Sequence, residues 1–187
     1  MPDRKLRAGI SGYGLAGRYF HAPFLKAAGF EVVGATTTNP VRQSHLKEDF
    51  PEARAFESIG DLLAQDLDLL VVASANSVHA SDAISGLRAG VAVVVDKPMG
   101  RTYSEVKSIV DVAHETNGKL TTFFNRRWDS DALTIKKAIR EGALGNIFRI
   151  DSRFERFREQ PNPNSWRERS TSTDGGGNLL DLQPHLI

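Results

Sequence analysis

Leu6-Arg7-Ala8-Gly9-Ile10-Ser11-Gly12-Tyr13-Gly14-Leu15-Ala16-Gly17 is the stretch on which the reading of this chain turns. Residues Lys5–Ile10 are short and apolar, as a buried strand is. Gly12 to Gly17 then spells G-x-G-x-x-G, and Leu15–Ala28 follows with helical character. The motif carries weight only in that context of strand, glycine turn and helix. The first glycine permits the tight turn, the second lets backbone approach a pyrophosphate, and the third lets helix pack against strand. Amides at the helix N-terminus then face the anion. Gly12, Gly14, Leu15, Ala16 and Gly17 are therefore candidate cofactor-binding residues. The structural alternative is a glycine turn that holds no ligand.

On either side of this stretch, helical and apolar segments alternate along the chain. Phe30–Thr36, Leu67–Ala73, Val91–Val95 and Leu120–Phe124 read as strands. Pro40–Asp49, Ser58–Ala64, Val78–Ala89 and Tyr103–Asn117 read as helices. Pro23 is expected to kink or break the first helix. Strands without polar alternation are buried on both faces, and helices between them imply βαβ units and a parallel sheet. The fold class is α/β, a Rossmann doubly wound parallel sheet over residues 1–122.

Residues 123–187 differ. Asp131–Arg140 reads as a helix, and Ile147–Glu159 as one long, partly exposed strand with Arg, Asp and Glu interleaved. Three glycines, Gly175–Gly177, precede a helix-like segment containing Pro184. One strand and one helix start bury no core of their own. This part is expected to be the incomplete start of a C-terminal, α+β open-sheet domain.

Composition narrows the function classes. The 187 residues carry 24 Lys+Arg against 23 Asp+Glu, a net charge of +1. That balance removes the usual electrostatic argument for nucleic acid or an anionic membrane. There are no cysteines, hence no thiolate chemistry and no Cys-ligated metal. His21, His45 and His114 show no metal-ligand spacing, so no metal is expected. Apolar runs such as Val91–Val95 fall far short of the ~20 residues of a membrane span. The charged N-terminus lacks a signal-peptide core, so a cytoplasmic protein is expected.

Beyond Gly17, an NAD site usually places Asp or Glu about 20 residues on, for the ribose 2′-hydroxyl. Here the stretch is Thr36-Thr37-Thr38-Asn39, followed by Arg42. A carboxylate would repel a 2′-phosphate, whereas hydroxyls and an arginine would not. Thr37, Thr38, Asn39 and Arg42 thus point to NADP, with NAD as the alternative. The competing reading is that they only cap the next helix.

Two further groups bear chemistry. Lys97, in Asp96-Lys97-Pro98, sits at the carboxyl end of a strand, where ligands bind in such sheets. It could orient a hydroxyl and tune proton transfer, or be an exposed structural lysine. Asp181 and His185 are four apart, which places both on one face of a helix. Such a pair can take a proton from an alcohol while hydride leaves its carbon, or be a surface pair.

The glycine loop, Asp96-Lys97-Pro98 and Gly175-Gly176-Gly177…Asp181…His185 together resemble the signatures of the Gfo/Idh/MocA oxidoreductases. His21-Ala22-Pro23-Phe24-Leu25, Asn125-Arg126-Arg127-Trp128-Asp129 and Trp166-Arg167-Glu168 resemble a branch that includes NADP-dependent scyllo-inositol dehydrogenases. The resemblance runs along essentially the whole chain. It implies an NAD(P)-dependent dehydrogenase acting on a secondary alcohol of a sugar or cyclic polyol such as an inositol. By it, Lys97 binds the reacting hydroxyl, Asp181 positions substrate and His185 accepts the proton. It also implies that the Lys97–Pro98 bond is cis, that Asn125, Arg126 and Trp166 line the substrate site, and that Ser74 and Asn76 touch the cofactor. His79 reads as a helix-terminal hydrogen bonder.

The chain departs from the family pattern at Asp96, where Glu is commoner, and at Gln183, where a small residue is common. Family members are roughly twice this length, which implies a chain cut within the second domain, and a homo-oligomer for the complete protein. Two rival readings are a catalytically incompetent fragment and a nucleotide-binding sensor on the same fold. The segment beyond about Asn125 is expected to expose apolar surface.

Overall fold

The apolar runs become strands: β1 (Arg7–Ser11), β2 (Glu31–Thr36), β3 (Arg54–Phe56), β4 (Leu69–Val72), β5 (Ala92–Asp96) and β6 (Leu120–Phe123). The computed structural model of the protein describes residues 4–155, 157, 159–160, 171 and 174–186. The six strands form one sheet in the order β3-β2-β1-β4-β5-β6. The pairs β1–β2, β1–β4, β2–β3 and β4–β5 are parallel. Side chains alternate across a strand, and the core follows that alternation. Leu70 and Val72 of β4 belong to one apolar cluster, while Val71 and the following Ala73 belong to a second. The first cluster takes in Leu87, Ile109 and Val112, and the second takes in Leu25 and Leu46. Both faces of the sheet are covered by helices, which is the doubly wound architecture.

The helices are α1 (Ala22–Ala27), α2 (Pro40–Asp49), α3 (Ile59–Leu63), α4 (His79–Arg88) and α5 (Tyr103–Glu115). Their starts are locally encoded. Asn39, Ser58 and Thr102 are N-caps whose side chains accept the N–H of Arg42, Asp61 and Glu105 respectively. Pro23 does not break the first helix. A π-helical turn, Gly17–His21, precedes α1, and the Ala22 N–H donates to the Gly17 carbonyl five residues back. The wide turn sets the helix register just before the residue that has no N–H to give.

The chain divides into two compact units, Met1–Thr122 and Phe123–Ile187. The second contains a 3-10 turn (Asn125–Trp128), α6 (Ser130–Arg140), α7 (Asn178–Leu182) and a 3-10 turn (Gln183–His185). The strand expected over 147–159 is not formed in 147–155, which carry no regular structure. A strand exists only through a ladder partner, and no described residue of this unit supplies one. Two of its apolar side chains stand largely in solvent, Phe148 at 98% and Ile150 at 70% exposed. Among the described residues no helix is long and apolar enough to cross a membrane.

Candidate active site

The strand order reverses between β1 and β4, and ligands of open α/β sheets bind beyond the carboxyl ends of the strands at that point. The glycine loop lies there. Gly12 has φ +86°, and a Cβ on it would come within 2.6 Å of the Ser74 Cα. A Cβ on Gly17 would strike the Gly12 carbonyl oxygen, so this glycine lets the helix close on the loop. Gly14 is different: the atoms nearest to its Cβ position are those of the Arg42 guanidinium, 3.7 Å away at Cζ. The loop is anchored from both sides. The Gly12 N–H donates to Thr36 Oγ1 at 2.9 Å. Tyr13, 1% exposed, donates its hydroxyl to Asp49 at 2.8 Å, and Arg18 Nε donates to the same carboxylate at 2.8 Å. Burial, then the Asp49 carboxylate, pushes the Tyr13 hydroxyl above its ordinary value.

After β2, the residues assigned to cofactor choice divide in two. Thr37 is buried, and its hydroxyl accepts the Asn39 N–H at 3.3 Å. Asn39 Oδ1 accepts the Arg42 N–H at 3.1 Å. Those two side chains shape the turn and cap α2. Thr38 and Arg42 are exposed, and the Arg42 guanidinium lies beside Gly14.

Beneath the crevice is a buried polar cluster. Asp82 Oδ2, on α4, accepts the hydroxyls of Ser11 at 2.5 Å and Ser74 at 3.0 Å. His79 sets Nδ1 2.8 Å from the Pro98 carbonyl oxygen and Nε2 3.1 Å from that of Ser74. Asn76 is buried at the start of this connection. Lys97 follows β5 and is half-buried, and the Lys97–Pro98 peptide is cis. Its N–H donates to Asp96 Oδ1 at 2.7 Å, while Asp96 Oδ2 stands 3.5 Å from the Nε2 of His21.

In the second unit, a cleft of about 530 Å³ is lined by Arg126, Asp129, Phe154 and His185, among others. Arg126 Nη1 donates to Asp129 at 3.1 Å, and its guanidinium lies 4.8 Å from the centroid of the Phe154 ring. Arg126 and His185 thus share one cleft. Asp181 and His185 are not on one helix as their spacing suggested: α7 ends at Leu182, and a 3-10 turn containing Pro184 carries His185. A proline has no N–H to continue the α-helical ladder. Asn125 opens the 3-10 turn before α6 and is half-buried. Trp166 lies outside the described residues. Among the described residues no three His, Cys, Asp or Glu side chains group as metal ligands.

The spacing of the sequence motifs finds the glycines and Lys97. It misses the Ser11–Asp82 and Tyr13–Asp49 contacts, because their partners are 71 and 36 residues apart and no short motif contains both ends. The residues of the first unit fit a dinucleotide. A loop that admits no Cβ at Gly12 or Gly17 leaves a backbone surface at the switch point, with a guanidinium beside Gly14.

Comparison with known proteins agrees with this geometry. The model of the oxidoreductase family with an NAD-binding Rossmann fold matches residues 6–124, and that of the GFO/IDH/MocA C-terminal domain matches residues 132–187. The uncharacterized oxidoreductase YdgJ of Escherichia coli (strain K12) is 35% identical over 183 residues, 97% of this chain and 51% of that protein. The scyllo-inositol 2-dehydrogenase (NADP(+)) IolW of Bacillus subtilis (strain 168) is 33% identical, covering 97% of this chain and 50% of that protein. The crystal structure of an NAD-binding protein from Listeria innocua superposes with a TM-score of 0.86 at 32% identity, over 98% of this chain and 53% of that one. The chain spans about half the length of the relatives it matches.

Proposed function

This chain belongs to the Gfo/Idh/MocA family of oxidoreductases, with a nicotinamide-binding Rossmann domain, and from that premise we propose an NADP-preferring dehydrogenase of a cyclic polyol or sugar. One observation carries the cofactor choice. Arg42 stands beside Gly14, and Thr36–Asn39 contains no acid. A guanidinium pairs with a 2′-phosphate through charge-assisted hydrogen bonds, and no carboxylate opposes it. The polyol class is supported by the scyllo-inositol 2-dehydrogenase among the relatives.

The roles follow from chemistry. The loop amides and the N-terminal turn after Gly14 hold the pyrophosphate. Thr38 and Arg42 receive the 2′-phosphate. Ser74 and Asn76 line the crevice at the end of β4. When bound, the cofactor supplies the hydride chemistry at its nicotinamide. The Lys97 ammonium donates to the reacting oxygen and stabilises the negative charge that builds there as the proton leaves. The imidazole of His185 takes that proton, and Asp181 orients the substrate. Arg126, sharing a cleft with His185, binds substrate hydroxyls.

The test is reduction of NADP by scyllo-inositol, followed spectroscopically, with the Lys97→Ala and His185→Ala variants alongside. Loss of a positioned proton-transfer group costs about 10²–10⁴-fold, so each variant should lose at least ~100-fold in turnover while binding NADPH normally. Near-normal turnover removes that residue from the mechanism. No turnover of scyllo-inositol, myo-inositol or glucose by a chain that binds NADPH refutes the polyol reading.

A further inference from the structure

The first turn of α4 reaches three strand ends. Asp82 holds Ser11 at the end of β1 and Ser74 after β4 through one carboxylate oxygen. His79, 1% exposed, lies between two backbone carbonyls: Nδ1 is 2.8 Å from Pro98 O, and Nε2 is 3.1 Å from Ser74 O. A carbonyl oxygen only accepts. The ring spans the two turns, with one nitrogen at each carbonyl.

We propose that His79 is a positioning residue for Lys97: its buried ring, set between the Pro98 and Ser74 carbonyl oxygens, clamps the Lys97–Pro98 turn to the Ser74 turn. The reactive role of Lys97 rests on the function proposed above, but the clamp itself does not. Neighbouring charged groups are engaged with other partners. Asp82, one turn along the same helix, has one carboxylate oxygen engaged by two serines. Glu105, on α5, has its carboxyl held below the usual carboxylate range, chiefly by the hydrogen bonds of Arg101. Arg101 is paired to Glu105 and so offsets part of that negative charge. Lys97 is held at its backbone by Asp96. Chemistry at Lys97 needs its ammonium at a fixed height above the sheet. The side chain is long and rotatable, so that height is set by the turn it stands on. His79 ties that turn to the one carrying the cofactor-side residues Ser74 and Asn76. The distance between hydroxyl-binding and cofactor-binding groups is thereby fixed.

The test uses chain labelled with 15N and compares His79→Phe, which keeps the ring bulk without donors, with His79→Gln, which keeps a donor for one carbonyl. The amide signals of Lys97, Met99 and Ala75 should move in His79→Phe, and those of Leu46 and Ala53 should not. Unmoved Lys97 and Met99 signals in a folded variant overturn the clamp. If His79→Phe does not fold, the same signals in His79→Gln decide. With NADP and scyllo-inositol, kcat should fall about tenfold in His79→Phe and recover in part in His79→Gln, while the Kd for NADPH changes less than about threefold. An unmodified chain that binds NADPH without turning over polyols defeats the substrate reading, and the amide response still decides the clamp.

Discussion

Gly17 and Arg42 make opposite demands on the same ligand site, one through space and one through charge. A methyl group at Gly17 has nowhere to go but into the Gly12 carbonyl oxygen. Overpacking of this kind costs about 1–3 kcal/mol. Gly17→Ala should therefore lower the unfolding free energy by that amount and weaken NADPH binding at least tenfold, as read by denaturant titration and calorimetry. Arg42 is exposed, and its removal disturbs no packing. Arg42→Ala should leave stability within about 0.5 kcal/mol. It should weaken NADPH about tenfold, equal to ~1.4 kcal/mol, and leave NADH unchanged. Equal losses for the two cofactors would place Arg42 on the pyrophosphate instead of the 2′-phosphate. At this scale the sequence is informative where one residue type is sterically required, as at Gly12 and Gly17. It is silent where a common residue finds a distant partner, as Ser11 finds Asp82 across 71 positions.

Helices and strands were legible in proportion to their length and burial. β4 and β5, buried on both faces, stand out as apolar runs. β3 is only Arg54–Phe56, with Phe56 its sole buried residue, and no periodicity can show in three residues. The segment 147–159 carries a strand's alternation but pairs with nothing described, so alternation alone overstates it. Caps are more dependable, because they act within four residues. At the start of α5, Thr102 Oγ1 accepts the Glu105 N–H, and the Glu105 carboxylate takes the Arg101 backbone N–H at 2.7 Å together with its guanidinium. The Arg101 hydrogen bonds lower the Glu105 carboxyl below its usual range. A depressed carboxylate stabilises the fold fully above its unfolded value, about 4.3, and the benefit is lost as pH falls through the folded value. Glu105→Gln should therefore cost about 1–2 kcal/mol at neutral pH and flatten the acid limb of stability against pH. An unchanged acid limb would show that Glu105 does not contribute to it.

Over the described residues of the whole molecule, burial concentrates in the first unit. Every buried core residue of the two apolar clusters lies within residues 8–112, whereas Phe148 is 98% and Phe157 91% exposed. Leu46→Ala, at a fully buried site, should destabilise by about 2–5 kcal/mol, and Phe148→Ser should change stability by less than about 0.5 kcal/mol. A comparable loss from Phe148→Ser, measured by denaturant unfolding, would reveal packing of that face in solution. The first unit also carries the glycine loop of the NAD-binding Rossmann fold, and so cofactor binding is the property this chain tests most directly. The decisive measurement is parallel calorimetric titration of the chain with NADPH and NADH. The account predicts micromolar binding of NADPH, with NADH weaker by at least ~10-fold, or ~1.4 kcal/mol. Equal affinities, or tighter NADH, would contradict the assignment of Arg42. Binding of neither by a folded chain would contradict the dinucleotide site itself.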